Sequence, residues 1–245
     1  MHKINILHLS DIHFRKKKDE EDKTFREKVQ KKLIGAVEEY LKKHGNPDVV
    51  AVTGDIAFSG KKNEYDEAIE FFDKLKKMLP DGVPFLPVPG NHDVDREKVN
   101  DFFSIHTIVK NGKTGKFLES QKDIDTFINS KFKAYRAFVE QLTPGLYQSK
   151  GDYFWVKNIE NKKISFLGLN SSWACEGDTD RFNIALGGPQ VADAIDRAKG
   201  MDHRILLMHH PPVDWLKDME TDRAELFEHC NLLLHGHTHA DNALL

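Results

Sequence analysis

Five apolar runs in this chain each end in a short cluster of Asp, Asn or His, and that recurrence limits the fold more than any other feature. Ile4–Leu9 leads into Asp11-Ile12-His13, Asp48–Thr53 into Gly54-Asp55, and Pro84–Val88 into Gly90-Asn91-His92-Asp93. Arg204–Met208 leads into His209-His210-Pro211-Pro212, and Cys230–Leu234 into His235-Gly236-His237-Thr238-His239. Apolar runs this short, bounded by turn residues, read as buried strands. Two further strands are expected at Tyr153–Lys157 and Lys163–Leu169, joined by a polar hairpin around Asn158–Asn161. Three- and four-residue apolar spacing predicts helices over Phe25–Lys43 (Val29, Leu33, Ile34, Ala36, Val37, Tyr40, Leu41) and Glu64–Leu79 (Tyr65, Ala68, Ile69, Phe72, Leu75, Leu79). Shorter helices are expected at Pro189–Ala198 and near Thr221–Glu228. Strands alternating with helices give an α/β protein, and open α/β sheets bind ligands outside the carboxyl ends of their strands. Packing alone does not account for five strands delivering such residues to one edge.

The residue types point to a metal. Asp-x-His and His-x-His leaving a strand put alternate side chains on one face, so that both can reach one ion or two adjacent ions. Carboxylate, amide oxygen and imidazole without thiolate suit Mn, Fe, Zn, Ni or Co, not copper(I) or an iron–sulfur cluster. Asp11, His13, Asp55, Asn91, His209, His237 and His239 supply seven donors, more than one ion takes from protein, so two ions sharing a carboxylate are expected. Singly, Asp11-x-His13 is ordinary cap chemistry and Gly54-Asp55 an ordinary turn pair. Gly90-Asn91-His92-Asp93 alone reads as a turn with Asn in the left-handed region. The alternating His235, His237 and His239 have little structural use even alone. His2, His8, His44, His106, His203 and His229 are scattered outside the pattern and read as ordinary histidines.

Composition removes the rival classes. The 245 residues carry 36 basic and 39 acidic side chains for a net charge of -3, a balance that argues neither for nor against nucleic acid. No apolar run approaches the ~20 residues of a membrane span, and no membrane association is expected. Two cysteines, Cys175 and Cys230, exclude a disulfide scaffold and fit a reducing compartment. The N-terminus is too polar for a signal peptide, and a cytoplasmic location is expected. Residues 94–150 are rich in Phe and are expected as a helical insertion or cap, with Ile124, Phe127, Ile128, Phe132, Tyr135, Val139 and Leu142 forming one helical stripe. The charge runs Arg15–Lys18 and Asp19–Asp22 read as a self-neutralising solvated loop, the alternative being a basic rim beside a phosphate site.

The order D-x-H, GD, GNHD, H, GHxH, running from Ser10 to His239, resembles the calcineurin-like metallophosphoesterases. Within them, LSDIH, TGDIAFSGKKNEYDEA, VPGNHD, LNSS, HHPP and HGHTH look most like the class III cyclic-nucleotide phosphodiesterase branch. The resemblance implies a four-layer αββα sandwich of two mixed β-sheets. It implies one ion held by Asp11, His13, Asp55 and His239, and a second held by Asp55, Asn91, His209 and His237. His92 would stand over the phosphate without binding metal, and His209, not His210, would be the ligand of the HHPP motif. The expected cofactors are two divalent transition-metal ions, manganese first, with Fe, Zn, Ni or Co as alternatives. The expected activity is hydrolysis of phosphodiesters, small diesters or cyclic nucleotides, by a metal-bridging hydroxide. The alternatives are a nuclease on DNA or RNA, with Arg15–Lys18 and Lys110–Lys116 as its basic candidates, and a phosphoesterase-like regulatory module of a larger protein. Family members usually carry further strands beyond GHxH, and this chain ends six residues after His239. Either the chain is cut from a longer protein, with this domain at its N-terminus, or those last strands are absent; a further C-terminal domain or a homo-oligomer is the expected protein partner.

Overall fold

The structure, a computed structural model, describes residues 3–15, 20–99, 103–217 and 220–238. Three strands, β1 (Ile6–Leu9), β2 (Val49–Thr53) and β3 (Phe85–Val88), form a parallel sheet in that order. Helix α1 (Glu20–His44) links β1 to β2, and α2 (Lys62–Lys76) links β2 to β3. The second sheet has the order β4 (Trp155–Ile159), β5 (Ile164–Gly168), β6 (His203–Leu207), β7 (Leu232–Leu234). It is mixed, because β4 and β5 form an antiparallel hairpin while β5, β6 and β7 run parallel. The first sheet is parallel throughout its described strands. The chain is thus an α/β protein with two sheets and flanking helices, as the resemblance implied.

Apolar residues from both sheets meet in one continuous core, with Leu232 of β7 left exposed. Every residue of β2 is buried, as a central parallel strand covered on both faces requires. β3 pairs only with β2 among the described strands. That edge position tolerates Pro87, which has no N–H to give to a further neighbour. The indole N–H of Trp155 donates to the Pro87 carbonyl at 2.8 Å and ties the second sheet to the first. Helix α2 begins where Glu64 reaches back to accept the N–H of Lys61 at 3.1 Å, the carboxylate half of a capping box. All six apolar residues of its expected stripe are buried.

Two expectations need correction. The first helix starts at Glu20, not Phe25, and Phe25, Val29 and Ala36 face solvent; Val37 is buried, with Leu33, Ile34, Tyr40 and Leu41 partly so. The stripe from Ile124 to Leu142 is not one helix. A π-helical segment, Ile124–Asn129, precedes a turn, and a regular helix covers only Lys133–Leu142. The turn brings Lys131 inward, where Nζ donates to the carbonyls of Trp173 and Cys175 at 2.9 and 3.1 Å. Its own carbonyl accepts the N–H of Asp95 at 3.0 Å. A π-bulge shifts the helical register by one residue, and here the shift seats one buried cation among carbonyls.

Candidate metal centre

The loops that follow β1, β2, β3, β6 and β7 converge on one cluster of donor atoms. Asp55 stands at its middle, 1 % exposed. Its Oδ1 accepts the backbone N–H of His92 at 2.9 Å. Its Oδ2 lies 3.3 Å from His209 Nε2 and 3.8 Å from His13 Nε2. One carboxylate oxygen therefore faces both halves of the cluster. Burial raises the Asp55 pKa, but the His209 charge and the His92 N–H outweigh it and hold the carboxyl well below the usual range. Asp55 is accordingly ionised.

On one side, His209 Nε2 lies 3.2 Å from Asn91 Oδ1 and 3.1 Å from His237 Nδ1. His209 Nδ1 donates to the Thr53 carbonyl at 2.7 Å. Because a carbonyl only accepts, Nδ1 carries the hydrogen and Nε2 is left to face the other donors. Metal-binding histidines are fixed in this way, with the second ring nitrogen anchored on a carbonyl. Burial lowers the His209 pKa, and the Asp55 carboxylate more than reverses this and raises it. On the other side, Asp11 Oδ2 accepts from Ser10 Oγ at 2.5 Å and from the His237 N–H at 3.1 Å. Three triads, Asp11–Asp55–His209, His13–Asp55–His92 and His209–His210–His237, each hold their ligand atoms within 4.8 Å of one another. The donor set fits a divalent cation, since a carboxylate oxygen, an amide oxygen and imidazole nitrogens crowd together with an anionic centre.

The backbone is bent to achieve this. Asp11, His13, Asp55 and His237 all have φ between 52° and 74°, a region costly for residues with a side chain. Gly54, at φ 88°, leaves room for the His209 ring: a Cβ there would come within 2.6 Å of Nδ1. At Gly236 a Cβ would collide with Ser10 Oγ and come within 2.6 Å of Asp11 Oδ2.

The structure brings together Asp11, His13, Asp55, Asn91, His209 and His237, with His92 beside them. His239 lies outside the described residues, as do Lys16, Lys17 and Lys18. Arg15 pairs with Asp22 at 3.0 Å. His210 is fully buried next to His209, with Nδ1 3.0 Å from Ser171 Oγ, and the donor distances centre on His209. Burial and the two neighbouring histidines hold the His210 pKa well below its ordinary value, so it is neutral. The His92 ring sits 4.8 Å from that of His13 and 5.1 Å from that of Phe58, and its Nδ1 donates to the Phe58 carbonyl at 2.7 Å.

Three further residues shape the site, and the strand-end donor set does not include them. Asp93 is fully buried and accepts from the N–H groups of Ile56, Ala57 and Gly90 at 3.2, 2.8 and 2.8 Å and from Tyr65 Oη at 2.8 Å. It clamps the loop carrying Asp55 to the loop carrying Asn91. Burial and the nearby Asp55 charge push its pKa up to about 6, against the pull of those donors. Ser171 Oγ accepts the N–H groups of His209 and His210 at 3.2 and 3.0 Å. Trp215 stands edge-on to His237, ring centroids 3.9 Å apart. Asp93 and Ser171 belong to the motifs GNHD and LNSS, whereas Trp215 belongs to none of the quoted motifs.

The family model of the calcineurin-like phosphoesterases matches residues 4–241. No curated protein matches the chain. Donor types, strand-end positions and the near full-length match agree, and the chain belongs to the calcineurin-like phosphoesterases, a family of metal-dependent hydrolases of phosphoesters.

Proposed function

We propose that the protein is a phosphodiesterase for small diesters, cyclic nucleotides included, working with two divalent transition-metal ions, manganese first among them. Asp11, His13, Asp55 and His239 would hold one ion, and Asp55, Asn91, His209 and His237 the other. The observation that carries this is the placing of Asp55 Oδ2 between His209 Nε2 and His13 Nε2, at 3.3 and 3.8 Å. Ions at such a site polarise phosphoryl oxygens and lower the pKa of bound water.

The protein's own part is orientation and proton handling. Thr53 fixes the His209 tautomer, Ser171 holds the backbone of His209, and Ser10 and the His237 N–H orient Asp11. Phe58 fixes His92 with its carbonyl on Nδ1, which leaves Nε2 to carry a proton to a leaving alkoxide. The second aromatic contact, with His13, keeps that ring against the donor cluster.

The test is turnover with Mn2+ on bis-p-nitrophenyl phosphate, p-nitrophenyl phosphate and a cyclic nucleotide. Preference for the bis-ester over the monoester is the expected result, and the reverse preference overturns the diester assignment.

A further inference from the structure

Trp215, edge-on to His237, belongs to a layer that runs outward from the donor cluster. Its carbonyl accepts the N–H of Phe182 at 2.8 Å. The Arg181 guanidinium lies over both rings, 5.1 Å from Phe182 and 5.9 Å from Trp215. Arg181 is anchored by Nε on the Asp214 carbonyl at 3.1 Å. The layer ends in solvent at Phe182, which is 49 % exposed.

A single exposed Phe is ordinary. Phe182, however, also has φ 58°, a left-handed backbone on a bulky aromatic residue. That strain costs more than an exposed cation–π contact returns. Packing does not account for it either, since half the side chain is in water. Six non-glycine residues among those described have positive φ, and four of them are Asp11, His13, Asp55 and His237. Phe182 shares the backbone signature of the donor residues while carrying a ring in place of a ligand atom.

We propose that Phe182, Arg181 and Trp215 form a stacking subsite for the planar base of a nucleoside phosphate whose phosphate group rests on the donor cluster. The proposal rests on the phosphoesterase function above. A ring face and a guanidinium offer stacking to any base, because every base has a π-face. An alkyl or sugar phosphate has nothing to place there.

The experiment compares AMP with ribose 5-phosphate, which differ only in the base, by calorimetric titration of the Mn2+-loaded chain. AMP is expected to bind roughly 5- to 150-fold more tightly, the span of one base stacked on an aromatic ring. Phe182→Gly removes the ring and accommodates the backbone, so it should remove the AMP preference, leave ribose 5-phosphate binding unchanged and keep or raise the melting temperature. Equal affinities in the unmodified protein overturn the subsite, as does a preference that survives Phe182→Gly. Equal weakening of both ligands by Phe182→Gly also overturns it, because the ring would then support the donor cluster and not a base. Hydrolysis of bis-p-nitrophenyl phosphate, run in parallel, separates the two ideas. Turnover without base preference removes the subsite alone, base preference without turnover removes the phosphodiesterase proposal alone, and loss of both removes both.

Discussion

At the scale of single residues, the functional roles divide by which atom is already committed. His92 has its backbone N–H on Asp55 and its Nδ1 on the Phe58 carbonyl, so only Nε2 remains for chemistry. His92→Ala should lower turnover by about 10²- to 10⁴-fold, the usual contribution of a positioned general acid, while metal content stays the same. The loss should be smaller with p-nitrophenolate as leaving group than with a ribose alkoxide, which needs the proton more. Loss of metal in that variant would instead make His92 a ligand. Asp93 shows the opposite case, since all its capacity is spent on structure. Asp93→Asn turns an amide N–H toward donors that need an acceptor, at a cost on the order of 1–3 kcal/mol for each donor orphaned. A clear drop in melting temperature is expected, and an unchanged one would show that the clamp is dispensable.

At the scale of elements, the site is a property of where strands stop. Apolar runs ending in Asp, Asn or His were legible because burial demands the first and chemistry the second. Less legible were the bent backbones that aim those side chains, since nothing in Asp11-Ile12-His13 announces two positive φ values. Close approach is the other hidden requirement. Gly236 lets the loop after β7 lie against the loop after β1, and its N–H donates to the His209 carbonyl at 3.1 Å. Gly236→Ala should force these loops apart and weaken metal binding sharply, readable as a lower affinity for Mn2+ in calorimetry. Unchanged affinity would show that the two loops can separate without cost to the site. The broken stripe of Ile124–Leu142 failed for a related reason: apolar spacing sees a face, not the inward turn of Lys131 that interrupts it.

At the scale of the whole molecule, the helical stretch from Ile105 to Leu142 and the sheets share one core, and Lys131 is part of the seam. Burial lowers its pKa to about 8, against the pull of Glu176 and Asp180. Its unfolded value is near 10.4. Between about pH 8 and 10.4 this lysine therefore binds more protons in the unfolded chain than in the folded one, and its own contribution to stability rises with pH across that window. Tyr65 and Tyr135, whose pKa values burial raises, act in the opposite sense as pH passes their unfolded value of about 10. Cys175 and Cys230, whose thiol pKa values burial also raises, likewise oppose Lys131 as pH passes their unfolded value of about 8.5. The Lys131 contribution is therefore read as a difference: between pH 8 and 9.5, the denaturant stability of the unmodified protein minus that of Lys131→Met should rise. A difference that does not change with pH would contradict a depressed Lys131. Cys175, Trp173 and Asp95, which surround this lysine through their backbone, carry no sequence pattern that links them, so the seam was not legible beforehand.

The proposed function needs one carboxylate, Asp55, to serve two ions. Metal analysis of the unmodified protein and of Asp55→Asn, each stripped with chelator and reconstituted with Mn2+, tests it most directly. About two ions per chain are expected in the unmodified protein, with the loss of both together in Asp55→Asn. Near-zero content after reconstitution of the unmodified protein, or full occupancy in Asp55→Asn, would contradict it.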